Sequence, residues 1–188
     1  MRLGISISLD GFVAGPNPSE DDPLGEGGER NADAEVVDDA FKGVGAYIMG
    51  RRMFGGGDGP WDETWKGWWG DDPPYHVPVF VLTHHPREPL EMEGGTTFTF
   101  VTDGIVSALE HAREAAGDKD VALGGGADVA QQYLKAGLID EMQIYVVPVL
   151  LGDGARLFDN LGDAEVRLEC TRAVEAPGVS HLKYRVVK

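Results

Sequence analysis

One cysteine, Cys170, stands in a chain of 188 residues. A lone thiol closes no internal disulfide and builds no cysteine-rich zinc site, so the sequence reads as a protein of the cytoplasm. Basic residues are scarce too: 16 Lys and Arg face 32 Asp and Glu, and the formal net charge is −16. That balance argues against a general partner among nucleic acids or anionic membranes, which need a basic surface. Long hydrophobic runs are missing. The longest apolar stretch, Ile144 to Leu151, contains Pro148 and is too short to span a bilayer. The opening MRLGISISLDGF lacks the apolar core of a signal peptide. The five histidines show no metal-ligand spacing, and adjacent His84 and His85 would point apart on a strand, so no metal is expected.

What is present is an ordinary globular composition, 42% hydrophobic and 26% charged, with enough length for one domain over residues 1–188. The acid is unevenly placed. Residues 1–40 hold ten acidic and two basic residues, so half the net charge lies in the first fifth of the chain. The bases that could meet an anionic ligand form two clusters in the first half, Arg51-Arg52 and His84-His85-Pro86-Arg87.

Periodicity gives an ordered set of elements. Leu3, Ile5, Ile7 and Leu9 alternate with small residues as a strand ending at the Asp10-Gly11 turn. Ala32 to Lys42 reads as a short amphipathic helix and Ala46 to Met49 as a compact strand. Residues 55–76 read as a loop that carries all four tryptophans between Trp61 and Trp69. Strands are expected over Val77–Thr83, Thr96–Thr102, Val121–Leu123 and Met142–Leu151, and an antiparallel pair over Val166–Val174 and His181–Val187. Asp103 is expected to cap a helix that Gly117 ends, and a second helix should run from Ala127 to Ala136. Helices between strands imply an α/β sandwich with a largely parallel sheet and an antiparallel C-terminal edge.

Three loops then follow the carboxyl ends of strands, where open α/β sheets bind ligands. Gly50 permits close backbone approach, and Arg51 and Arg52 can fork onto phosphate oxygens. Thr83, His84 and Arg87 add a hydroxyl and further donors. Gly124-Gly125-Gly126 precedes a helix start whose N–H groups suit phosphate. Two such turns could hold both halves of a pyrophosphate-linked cofactor. Asp10, at a strand-end turn, is the candidate catalytic carboxylate. The indoles of Trp61 and Trp65, with Phe12, are candidates for the wall of a substrate pocket, the tryptophan loop serving as an aromatic lid or an interface.

Several stretches in order carry a family resemblance: Ser8-Leu9-Asp10-Gly11, Ile48-Met49-Gly50-Arg51-Arg52, Val81-Leu82-Thr83, Gly124-Gly125-Gly126-Ala127, Gly137-Leu138-Ile139-Asp140-Glu141 and Pro148 to Gly154. Together they resemble the dihydrofolate-reductase-like superfamily, and most closely the RibD C-terminal family, the reductase domain of the bifunctional riboflavin-biosynthesis deaminase–reductase. The resemblance implies a three-layer sandwich with a mixed, mostly parallel eight-stranded sheet, NADPH as hydride donor, and a homodimer. It places the cofactor phosphates at Gly50, Arg51 and Arg52, and the adenosine 2′-phosphate near Thr83, His84 and Arg87. The pyrophosphate and nicotinamide side falls at Gly124, Gly125, Gly126, Ala127, Asp128 and Val129, with a cis peptide in the glycine pair. The implied activity is reduction of a planar nitrogen heterocycle such as a pyrimidine or pteridine. Two positions depart from the riboflavin reductases: Gly124 stands where they carry an acid, and Phe12 where they carry a base. No deaminase zinc signature is present. Those departures keep open a second reading, a dimeric nucleotide- or flavin-binding module without turnover.

Overall fold

The computed structural model describes residues 1–17, 19, 22, 24–27, 41–162 and 165–188. The expected helix over Ala32–Lys42 lies almost wholly outside them. Strand β1 (Arg2–Ser8) forms where the alternation begins, but it stops one residue before Leu9, which is exposed. After the Asp10-Gly11 turn the chain re-enters a short strand, β2 (Phe12–Ala14). Then come β3 (Val44–Gly50), a single helical turn α1 (Arg51–Phe54), β4 (Pro78–Leu82), β5 (Leu90–Glu91) and β6 (Thr97–Val101). The rest of the chain forms α2 (Ile105–Ala116), β7 (Asp120–Leu123), α3 (Ala127–Lys135), β8 (Glu141–Val147), β9 (Ala155–Arg156), β10 (Arg167–Ala176) and β11 (Val179–Val187).

Nine strands join one sheet in the order β10-β11-β8-β1-β7-β3-β4-β6-β5, and β2 pairs with β9 in a two-stranded sheet. The six strands from β8 to β6 run parallel. β5, β11 and β10 are antiparallel to their neighbours. The ninth strand is the two-residue β5, which no periodicity marks. β3, inside the sheet between β7 and β4, is buried at all seven positions, as a strand covered on both faces must be.

The two faces are filled differently. On the first face, Leu3, Ile48, Leu123, Met142 and Ile144 meet Ala108, Leu109 and Ala112 of α2 and Val129, Ala130 and Tyr133 of α3. The small residues of α2 bring that helix close to the sheet, and the Tyr133 hydroxyl donates to the Ile105 carbonyl at 2.7 Å, tying the two helices together. On the second face, Tyr47, Met49, Val79, Val81 and Phe98 meet Phe54 and a set of tryptophans.

Two expected element ends move. Gly104, with φ 91°, occupies the N-cap of α2 and no side chain caps it, so Asp103 sits one residue too early and only accepts from the Thr102 hydroxyl at 3.5 Å. β8 ends at Val147, four residues before the expected Leu151, because Pro148 has no N–H to continue the ladder. Among the described residues no helix is long and apolar enough to cross a membrane.

Candidate functional site

The strand-end loops of β3 and β7 are stitched together by backbone. Gly50 N–H donates to the Gly125 carbonyl at 2.8 Å, and Gly124 N–H donates to the Ile48 carbonyl at 2.9 Å. A Cβ at Gly50 would lie 2.8 Å from Val129 Cγ2, so a side chain there would push the first turn of α3 off the sheet. Gly126 is the N-cap of α3, and the Gly125–Gly126 peptide is cis, as the resemblance implies. Gly50, Gly124, Gly125, Gly126, Ala127, Asp128 and Val129 are thus gathered into one surface.

Arg52 stands in front of that surface with its side chain 72% exposed. Its guanidinium pairs with Asp128 at 3.3 Å and Asp58 at 3.5 Å. Arg51, one residue earlier, is only 8% exposed. Its Nη2 donates to the Gly59 carbonyl at 2.5 Å and the Gly56 carbonyl at 3.3 Å, and its guanidinium carbon lies 3.8 Å from the Trp61 ring centroid. Burial lowers its pKa, Asp58 opposes the shift and neighbouring Arg87 adds to it. Among the described residues the buried Nε and Nη1 atoms of Arg51 have no hydrogen-bond partner.

The third loop closes on the same indole. Arg87 lies 5.1 Å from the Trp61 ring and is held by Glu63, through its backbone carbonyl at 3.1 Å and its carboxylate at 3.5 Å. Among the described residues the buried Arg87 Nη1 has no hydrogen-bond partner. The Trp61 Nε1–H donates to the His85 carbonyl at 2.8 Å, and the His85 N–H donates to the buried Thr83 hydroxyl at 3.1 Å. Thr83, His85, Arg51 and Arg87 therefore share one neighbourhood around Trp61, while His84 is exposed beside it.

That arrangement changes the part given to the tryptophans. Trp61 packs edge-on against Phe54 and Phe100. Trp65 donates to the Phe54 carbonyl at 3.1 Å and meets Trp68 edge-on, and Trp69 stacks on Phe98. The indoles add to the second apolar layer over β4 and β6, where large rings bury most area, and Trp61 and Trp65 are half-buried, packed beneath the arginines. Phe12 is also withdrawn. It is buried in β2 and covered by the Arg156 guanidinium, 4.4 Å from its ring centroid.

Asp10 sits in a network of donors. It accepts from the Ser8 hydroxyl at 2.6 Å, the Leu151 N–H at 3.1 Å and the Gly152 N–H at 2.8 Å. Ser8 and these backbone donors hold its pKa at about 2. Asp10 is ionised at neutral pH, has no proton to give, and clamps the β1–β2 turn to the loop after β8.

A cleft of about 160 Å³ opens on the second face beside the glycine turn. Its floor is Gly4 and Gly124, which stand one rung beyond the Leu3–Leu123 pair. A Cβ on Gly4 would meet nothing within 4 Å, and one on Gly124 would meet only the Ile48 carbonyl at 3.8 Å and Tyr47 at 3.9 Å. Tyr47, Tyr75 and Tyr145 wall it, and Gln143 and the 3.0 Å Lys183–Glu141 ion pair stand at its side. Burial raises the pKa of Tyr47 and Tyr75, so both phenols stay protonated. A bare backbone floor between tyrosines suits a flat ring. The sequence carried one signal for it, a glycine inside an alternating strand at position 4, which marks close approach of something to the backbone.

The model of the RibD C-terminal domain matches residues 1–181. YyaP, an uncharacterized protein of Bacillus subtilis strain 168, is 25% identical over 162 residues, covering 83% of this chain and 78% of its own. Among solved structures, a candidate riboflavin biosynthesis protein from Shewanella sp. PV-4 superposes with a TM-score of 0.69 at 24% identity, covering 100% of this chain and 98% of that one. Dihydrofolate reductase from Enterococcus faecalis, solved with NADP(H), superposes with a TM-score of 0.63 at 14% identity, covering 100% and 96%. The structural likenesses establish a shared dihydrofolate-reductase-like fold.

Proposed function

Because the chain belongs to the RibD C-terminal domain family, we propose that it is an NADPH-dependent reductase of a planar nitrogen heterocycle, a pyrimidine or a pteridine. The observation that carries this reading is the pair of arginines around Trp61. Arg51 and Arg87 hold buried N–H groups that no described residue accepts, and an unmet donor on a buried cation costs far more than an exposed one. A phosphate group supplies the missing acceptors and the missing negative charge. On a chain of net charge −16, few other places would hold an anionic dinucleotide. The residues present therefore fit the cofactor.

Arg51, Arg87, Thr83 and His84 would hold the adenosine phosphate, and Arg52 with the first turn of α3 would hold the pyrophosphate. When bound, NADPH supplies a hydride. The chain supplies placement and exclusion of water. Gly125 and Gly126 leave the backbone open for the nicotinamide end, and the Gly4–Gly124 floor seats the substrate ring next to it, in the orientation that proximity requires. The tyrosine walls keep water from the reacting face.

The ionised state of Asp10 favours one competitor, a nucleotide-binding module without turnover, since no proton donor replaces it at that turn. NADPH oxidation followed by absorbance across pteridines, pyrimidines and quinone-like compounds separates the two. Turnover with any of them supports the reductase. Tight NADPH binding without turnover supports the module. Absence of NADPH binding below about millimolar concentration, weaker than about 4 kcal/mol, overturns both.

A further inference from the structure

We propose that Gln143 sets the specificity of the cleft, and that the ligand it selects is a single uncharged ring edged by a cyclic amide, with no phosphate or carboxylate tail. The inference rests on the reading of the cleft as the substrate seat. Size is the first constraint. The cleft holds about 160 Å³, and an apolar protein cavity of about 150 Å³ takes one benzene ring. One six-membered ring fills the space, and anything fused or attached to it has to stand outside.

Sheet register brings the polar groups to one side of that space. Gly4 pairs with Gln143 of β8, and Gln143 pairs with Lys183 of β11. Paired residues share a face of the sheet, so the Gln143 side chain stands beside the bare Gly4 floor, with Lys183 beyond it. The other side, over β3, is aromatic: Phe41, Tyr47 and Tyr75 have ring centroids 4.9 to 5.8 Å apart. Gln143 is half-buried, and among the described residues its amide has no hydrogen-bond partner. A primary amide offers a carbonyl acceptor and an N–H donor side by side. Its complement is a ring edge with an N–H next to a C=O, a lactam or a ureide.

Charge is the second constraint. The cations at the cleft are already matched: Lys183 pairs with Glu141 at 3.0 Å, and Arg2 with Asp120 at 3.7 Å. Two bases against two acids leave this rim neutral on a chain of net charge −16, so the local field gives an anion no advantage. An anionic tail would have to displace Glu141 or Asp120. Burial keeps the Tyr47 and Tyr75 phenols protonated, so these walls carry no charge either. Arg51 and Arg87 are the contrast, with buried N–H groups that no described residue accepts. Anion recognition lies with those arginines, and recognition of an uncharged ring lies with Gln143.

Calorimetric titration of the full chain, with and without saturating NADP+, tests the proposal with three probes: uracil, uridine monophosphate and diaminopyrimidine. Uracil should bind with a dissociation constant below about 1 mM, within reach of so small a ligand, and uridine monophosphate should bind no more tightly. Gln143→Leu should weaken uracil roughly tenfold, the scale of a lost hydrogen bond. Gln143→Glu should reverse the preference, because a carboxylate only accepts hydrogen bonds and suits the amino edge of diaminopyrimidine rather than the amide edge of uracil. A merely structural role for Gln143 would weaken both probes alike, and that result overturns the proposal. Tighter binding of uridine monophosphate than of uracil by tenfold or more also overturns it. A chain that binds NADPH but takes up no uracil in either state overturns it and leaves the cofactor reading standing. Uracil binding that depends on Gln143 in a chain that binds no NADPH supports it and counts against the cofactor reading.

Discussion

The second face of the sheet has an aromatic half and a bare half, and residue size alone separates them. Over β3, β4 and β6 it is packed with Phe54, Phe98, Phe100, Trp61 and Trp69. Over β1 and β7 it thins to Ala122 and then to Gly4 and Gly124, which carry no side chain. Tyr47 and Tyr75, 4.9 Å apart between centroids, form the border. Large rings make the first half a rigid support for Arg51 and Arg87. Missing side chains make the second half a seat for something else. The same strands thus carry a scaffold and a cleft side by side, and the difference teaches that open space here is made by what is left out of the core.

Breaking the aromatic half should give the largest effect. Trp61→Ala removes a ring that packs on Phe54 and Phe100, holds two guanidinium groups and ties down His85. It should lower stability by about 3 kcal/mol, the low end for truncating a packed indole, measured by urea unfolding. Next, Arg51→Ala and Arg87→Ala should each weaken NADPH binding by about 1–3 kcal/mol, the scale of a lost charged hydrogen bond, read by calorimetry. Filling the bare half should have the opposite sign in stability. Gly4→Ala puts a methyl group into open space within a strand, so it should stabilise the fold by about 0.5–1 kcal/mol while lowering turnover and leaving NADPH affinity unchanged. If activity survives at full rate, the substrate ring lies elsewhere.

The smallest effect separates clamp from catalyst at Asp10. Its folded pKa of about 2 lies below the ordinary 3.8, so its contribution is fully present above pH 3.8 and disappears as the pH falls through about 2. The stability gap between wild type and Asp10→Asn should therefore be constant near neutrality and close over that acid range. A catalytic pH profile that shifts in Asp10→Asn without any change in stability would restore Asp10 as a catalyst.

Much of the fold was legible because it rests on local signals. Alternation in β1, the small-residue stripe of α2 and the glycine turns at 50 and 124–126 all sit where the sequence placed them. β5 and β9 were not legible, since two-residue strands have no period of their own and exist only through their partners. The glycine turns lie at neighbouring strand ends as their order implied, yet Arg51 and Arg52 face opposite environments, a difference that adjacent identical residues cannot announce. The packing of the tryptophans and Phe12 was not legible for a related reason. Aromatic rings suit pockets and cores equally, and only packing against Phe54, Phe98 and Arg156 decides which.

The central claim is that the arginines around Trp61 hold the phosphates of NADPH, and the most direct measurement is a titration of the wild-type protein with NADPH and NADH, followed by tryptophan fluorescence. The account predicts saturable binding of NADPH below millimolar concentration, weaker binding of NADH by about 1–3 kcal/mol for the lost phosphate contacts, and loss of that difference in Arg87→Ala. Equal affinity for the two nucleotides, or no saturation by NADPH, would contradict it.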